Sequence, residues 1–241
     1  MPFTFSHPAI VLPLTYLSKR WYSLTGLIIG SMAPDFEYFI RMKDKSIYSH
    51  TFFGLFYFDL PVGLVLAFVY HQIVRNPLIQ NLPVTLKGRF IGFTSFNWHE
   101  AFRKHWLVII VSIFVGAGSH LLWDNFTHYK GFFVLLFPSL KHFFRAGHHY
   151  SIRYYNLIQH ISSVTGLIIV LIAIYKMPVA ENYDREIDYL YWLLVLFISL
   201  VLVTTRFFLD TDKRIGDVVM TVISGGLWAL VLAPILYKRV K

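Results

Sequence analysis

Long apolar runs alternate with short polar gaps along the whole chain. Crossing a bilayer takes about 20 consecutive apolar residues. The runs at 52–74, 157–175, 187–209 and 218–237 meet that length, and 106–123 is slightly short but fits a fifth span. Two further runs, 24–33 and 131–140, are too short to cross and read as re-entrant or interfacial helices. Such segments are tolerated only where protein or water satisfies the backbone. Residues 8–19 predict a short helix with Pro8 in its first turn and Thr4 or Ser6 as a cap. The polar gap 75–105 carries five Lys/Arg and predicts a loop with a surface helix, its basic residues solvated or facing headgroups. The gap 176–188 is acidic, with Glu181, Asp184, Glu186 and Asp188. There is no internal repeat, low-complexity tract or linker. The pattern predicts an all-α fold, a polytopic membrane helical bundle of about five spans plus short re-entrant or interfacial helices. It forms one integral membrane domain over 1–241, with the candidate chemistry in 1–165 and two spans without a motif in 187–237.

Composition supports the membrane reading. Hydrophobic residues are 56%, charged residues 15%, and mean hydropathy is +0.55. Soluble globular domains carry about 25% charged residues, so this chain has too little polar surface for water. That excludes a secreted soluble enzyme and a disordered regulator. The net charge of +9 fits loops meeting anionic headgroups better than a nucleic-acid partner. With no cysteine, disulfides and thiolate metal sites are excluded, and a metal site must draw on His and carboxylates. The first 20 residues lack a basic region before their apolar part and hold Pro8 and Pro13, so no signal peptide is expected. The two faces collect 12 and 10 Lys/Arg, which leaves orientation undecided.

Topology gathers the polar clusters. Consecutive spans run antiparallel, so the start of 52–74, the end of 106–123 and the start of 157–175 share one membrane face. Ser49-His50-Thr51, the cluster from His120 to His128, and the histidines from His148 to His160 sit at those places. His120 and Asp124 are four apart and share a helix face, where imidazole and carboxylate can chelate one divalent ion. Ionisable residues at membrane depth are costly and point to function. Thr127 and His128 continue that cluster. Gly30-Ser31-Met32-Ala33-Pro34-Asp35 places Asp35 at a helix break, as a ligand or a helix cap. His50 stands at a span entrance, and His7 precedes Pro8, which biases it towards an extended backbone. Of the other histidines on this face, His149 and His160 are the weaker candidates, with no clear spacing. His71, His99 and His105 fall on the opposite face. Asp59, inside an apolar run beside Pro61, reads as a structural hydrogen-bonding residue. No phosphate-binding, dinucleotide, nucleophile-elbow or HExxH motif is present.

A His near the N-terminus, then G-S-x-x-P-D, S-H-T and S-H-x-x-x-D-x-x-T-H, resembles the membrane-bound metal-dependent hydrolases. That group is itself similar to the zinc-dependent phospholipase C superfamily. MPFTFSHPAIVLPL and IIGSMAPDFEYF look closest to an uncharacterised bacterial membrane family, domain of unknown function 4184. The resemblance covers residues 1–165. It implies metal ligands at His7, Asp35, His50, His120 and Asp124, with His128 a weaker match, and a place in a bacterial cytoplasmic membrane. The later His-x-x-x-Glu pair of the zinc phospholipases has no counterpart after residue 128. Such a donor set suits Zn²⁺, or Mn²⁺ as the second choice. An ion of this kind activates water near neutral pH and stabilises charge on a phosphoester. The expected partners are membrane lipids and a small-molecule or lipid-derived substrate. The rival readings are a non-catalytic structural metal site and a small transporter. Polar residues at span ends, in halves that are not alike, argue against the transporter.

Overall fold

A computed structural model describes residues 3–146, 150–210 and 214–240. The fold is all-α. Five segments are long and apolar enough to cross a membrane: Leu55–Gln80, Trp98–Leu136, Tyr154–Tyr175, Tyr189–Leu209 and Ile215–Tyr237. They mark the chain as an integral membrane protein. Its helices are α1 (Pro8–Val11), α2 (Leu24–Met32), α3 (Phe36–Arg41), α4 (Leu60–Val69), α5 (Arg75–Gln80), α6 (Val84–Phe90), α7 (Trp98–Thr127), α8 (Phe132–Leu136), α9 (Tyr154–Tyr175), α10 (Tyr189–Leu209) and α11 (Ile215–Val240). Strands β1 (Phe143–Ala146) and β2 (Tyr150–Arg153) form an antiparallel hairpin that the apolar pattern did not signal.

Contacts divide the chain into two compact units. The first comprises Met1–Pro34, Tyr48–Leu64 and Leu107–Lys176, and the second Asp35–Ile47, Val65–Trp106 and Met177–Lys241.

In the first unit, close approach of α2 to α7 depends on small residues. A Cβ on Gly30 would lie 2.2 Å from the Ile113 carbonyl oxygen, and one on Gly116 would lie 2.5 Å from that of Leu27. Gly26 and Gly30 are one turn apart, so they open a single face of α2 to α7, the usual way for apolar helices to pack in lipid. Ser23 caps α2 by accepting from Gly26 N at 3.2 Å, while its own N donates to Ser112 Oγ on α7 at 2.8 Å. The short helix is thus held by protein. Replacing Gly30 with Ala forces the backbones apart, and the expected loss is about 1–3 kcal/mol, read as a lower melting temperature in detergent. Gly118→Ala is the control. A Cβ there meets nothing within 4 Å, so its stability stays level or rises by about 0.5–1 kcal/mol.

The N-terminal segment is not the single helix expected over 8–19. It is a 3-10 turn at Thr4–Ser6, then α1, then a second 3-10 stretch at Leu12–Tyr16. Pro13, at the start of that stretch, cannot donate to the helix and ends α1. Neither Thr4 nor Ser6 caps; Ser6 Oγ donates to Phe3 O instead. The segment docks on α9, where Phe3 N donates to Ser163 Oγ and Gly166 admits the Ser6 backbone.

The first span widens twice into π-helix, at Leu55–Asp59 and Tyr70–Val74. Each wide turn contains the residue four before a proline, Tyr57 before Pro61 and Ile73 before Pro77. A proline lacks the donor for that carbonyl and clashes with it, so the turn opens.

In the second unit, the gap 75–105 is mostly helical. It comprises α5, α6, a 3-10 turn at Ile91–Ser95 and the first part of α7, which bends at His105. Two of its cations are buried rather than solvated. Lys87 donates to Glu186 O at 2.7 Å, and Arg75 holds the 91–97 segment. Glu37 is also buried, accepting from Arg41 Nε, Ser46 Oγ and Ile47 N. Tyr191, Val195 and Ile198 of α10 pack with Ala229 and Ala233 of α11 to form this unit's apolar core.

Candidate metal centre

The centre is built around one carboxylate in the first unit. His120 and Asp124 lie a turn apart on α7, and His120 Nε2 stands 3.5 Å from Asp124 Oδ2. The helical spacing alone accounts for that pair. His50, in the turn before the first span, brings Nε2 to 3.4 Å from the same oxygen. His128 at the end of α7 brings Nδ1 to 3.7 Å, and His7 brings Nε2 to 3.9 Å from Oδ1. The His7 ring stacks on His120 with centroids 3.7 Å apart, and His50 meets His120 edge-on at 5.5 Å. One donor atom each from His50, His120 and Asp124 lies within 4.8 Å of the others, close enough for one ion.

Neighbouring groups orient the rings. His120 Nδ1 is 2.7 Å from Ser31 O on α2. A carbonyl can only accept, so Nδ1 carries the hydrogen and Nε2 is the nitrogen that faces Asp124. Histidine ligands to metals are held this way, by a hydrogen bond from the second nitrogen. His50 Nδ1 is similarly paired with Ser49 Oγ at 2.8 Å. His128 differs. Its Nδ1 lies 3.1 Å from the Asp124 carbonyl and 3.3 Å from Thr127 Oγ1. The nitrogen nearest the carboxylate is therefore committed to backbone, which keeps His128 secondary.

Burial separates a deep side from an open one. His120 is 0% exposed, His7 3% and Asp124 7%. The side chains of His50 and His128 are 20% and 37% exposed. Asp124 Oδ1 is buried and accepts no hydrogen bond among the described residues. A buried carboxylate oxygen without a donor is costly, and a cation at that point relieves it. The donor set and this oxygen both fit a divalent ion.

His7, His50, His120, Asp124 and His128 come together. His7 is helical (φ −60°, ψ −33°) rather than extended. Its N–H donates to Thr4 O and its carbonyl accepts from Ile10 N, and these bonds override the local bias from Pro8. Asp35 belongs to the second unit and is fully buried. It takes the N-cap position of α3 without making a cap hydrogen bond, so capping is not its role. His160 is exposed on α9 and belongs to no group of possible metal ligands among the described residues. His149 lies outside the described residues. Asp59 is fully buried in the first π-turn of its span. The orienting carbonyl of Ser31 was missed, because a backbone acceptor leaves no mark on residue type. Ser49 was visible only as a hydroxyl beside His50.

A family model described as "Domain of unknown function (DUF4184)" matches residues 1–235. No curated protein and no solved structure matches the chain.

Proposed function

The chain belongs to that DUF4184 family, and we propose from its own residues that it is a membrane-embedded metal-dependent hydrolase of phosphoester or lipid-derived substrates. The observation that carries this reading is the ring of imidazoles from His7, His50, His120 and His128 about the buried Asp124 carboxylate. His7, His50, His120 and Asp124 would hold the ion, Zn²⁺ first and Mn²⁺ second, as nitrogen and oxygen donors favour. Such an ion supplies Lewis acidity and a nucleophile at neutral pH. Ser31 O and Ser49 Oγ fix the rings of His120 and His50. The stacked His7 and His120 rings close the deep side against water. The exposed edges of His50 and His128 give a substrate its approach, and such an opening favours a catalytic over a closed structural site. A site beside membrane-spanning helices supports a membrane-derived substrate, and a bacterial cytoplasmic membrane is the proposed location.

The test is metal content by mass spectrometry on detergent-purified protein after incubation with zinc or manganese. At least about one ion per chain is expected, as structural and catalytic sites retain, and His120→Ala should lose it. Asp35→Asn belongs in the same series. A wild type without stoichiometric metal ends the hydrolase reading.

A further inference from the structure

Residues 125–180 contain no Asp or Glu, yet they carry Lys130, Lys141, Arg145, Arg153 and Lys176. Two of these cations are gathered on one ring. Lys141 Nζ stands 4.9 Å from the centroid of the Tyr129 ring, and Arg153 Cζ stands 5.4 Å from it. Arg153 also lies 5.2 Å from the Phe143 ring, directly across the hairpin in register. Its Nη1 approaches the Tyr155 hydroxyl at 3.4 Å. The hairpin is tied down where Tyr154 N donates to His142 O at 3.0 Å. Tyr129 is the residue after His128, whose ring reaches Asp124 at 3.7 Å. The pair is therefore chained to the edge of the metal centre. Both cations are half-buried.

Aromatic faces hold such cations in place, but no carboxylate among the described residues pairs with either, and two like charges at one ring repel each other. A bound oxyanion removes that repulsion. A phosphate group suits the pair better than a carboxylate. It brings more charge and more oxygens, matching a guanidinium fork on one side and an ammonium point charge on the other.

We infer that Lys141, at the end of the 3-10 turn before β1, and Arg153, at the end of β2, form over Tyr129 a receptor for a phosphate group beside the metal centre. The receptor stands on the cation geometry alone. The consequence that the substrate bears a phosphate next to the bond cleaved rests on the hydrolase reading above.

The full-length protein in uncharged detergent, with chelator present, is titrated by calorimetry with inorganic phosphate and with dioctanoyl phosphatidylglycerol. Wild type is expected to bind at least one of them. Arg153→Gln and Lys141→Gln should each weaken that binding at least about tenfold, the loss of one charge-assisted contact. Lys176→Gln, which removes a cation at the far end of α9, should bind as wild type does. Binding of the lipid without binding of phosphate identifies a headgroup, and comparable binding of both identifies a free phosphate; each supports the receptor. No binding of either probe, equal binding by Arg153→Gln and Lys141→Gln, or an equal loss in Lys176→Gln overturns it. Failure of the metal reading shows separately, as wild type that retains no ion after incubation with zinc or manganese without chelator and yet binds phosphate.

Discussion

Zinc at a thousandfold excess over its dissociation constant is expected to raise the melting temperature of the wild type on the order of 10 °C and to leave Asp124→Asn unmoved. The gain follows from binding to the folded state alone. At that excess it is about 4 kcal/mol, and a chain of this length shifts by about 2–4 °C per kcal/mol. Asn keeps the size of Asp124 and an acceptor oxygen but loses the anion. The carboxylate is the common neighbour of His7, His50, His120 and His128, so its loss removes the charge that compensates an ion brought into a buried site. Single changes at His7 or His50 should act more weakly, because each leaves the carboxylate, His120 and the remaining imidazoles. His7→Gln and His50→Gln are expected to need higher zinc for the same shift. Differential scanning fluorimetry in detergent, with and without chelator, reads all of these. A zinc-dependent rise in Asp124→Asn equal to that of the wild type would move the ion elsewhere and sink the assignment.

The histidine–aspartate pair was legible because a helix repeats every 3.6 residues, which puts His120 and Asp124 on one face without further information. His50 and His7 needed one more step. Their distance in sequence from α7 is large, and only the antiparallel order of the spans brings His50 to the right face. The start of α7 shows where hydropathy fails. Glu100, Arg103, Lys104 and His105 make 98–105 look like a loop, so the apolar run begins at 106. The helix in fact begins at Trp98, and Glu100 pairs with Lys104 one turn on at 2.7 Å. That i,i+4 spacing is a helix signal which a hydropathy count overlooks. Arg75 and Lys87 show the converse failure. A cation in a polar gap reads as solvated, because its acceptors are carbonyls far along the chain: Phe96 and Thr94 for Arg75, Glu186 for Lys87. Those acceptors are backbone atoms with no residue-type signature, as is the Ser31 carbonyl that turns His120.

Arg75→Met is expected to be the most destabilising change outside the metal centre. Arg75 is 6% exposed at the start of α5. Its Nη1 donates to Phe96 O at 2.9 Å and to His71 Nδ1 at 2.8 Å, Nη2 donates to Thr94 O at 3.3 Å, and Nε donates to Asn76 Oδ1 at 2.8 Å. A guanidinium cannot accept, so His71 Nδ1 is the acceptor and that ring carries its hydrogen on Nε2. The same ring stacks on Trp98 with centroids 4.5 Å apart and planes 9° from parallel. One cation thus ties the end of the first span's helix to the 91–97 segment and to the beginning of α7. Met keeps the apolar stem and removes every donor. Each acceptor left buried costs about 1–3 kcal/mol, so the expected loss is about 3 kcal/mol or more, a fall in melting temperature on the order of 10 °C. Arg75→Lys should fall between, because an ammonium is a compact point charge without the fork that reaches several acceptors at once. Metal content should not change in either variant, since Arg75 and His71 belong to the second unit and Asp124 to the first. If Arg75→Met melts within about 2 °C of the wild type, the shift of a near-neutral surface substitution, the guanidinium faces headgroups as its sequence context suggests and the staple is refuted.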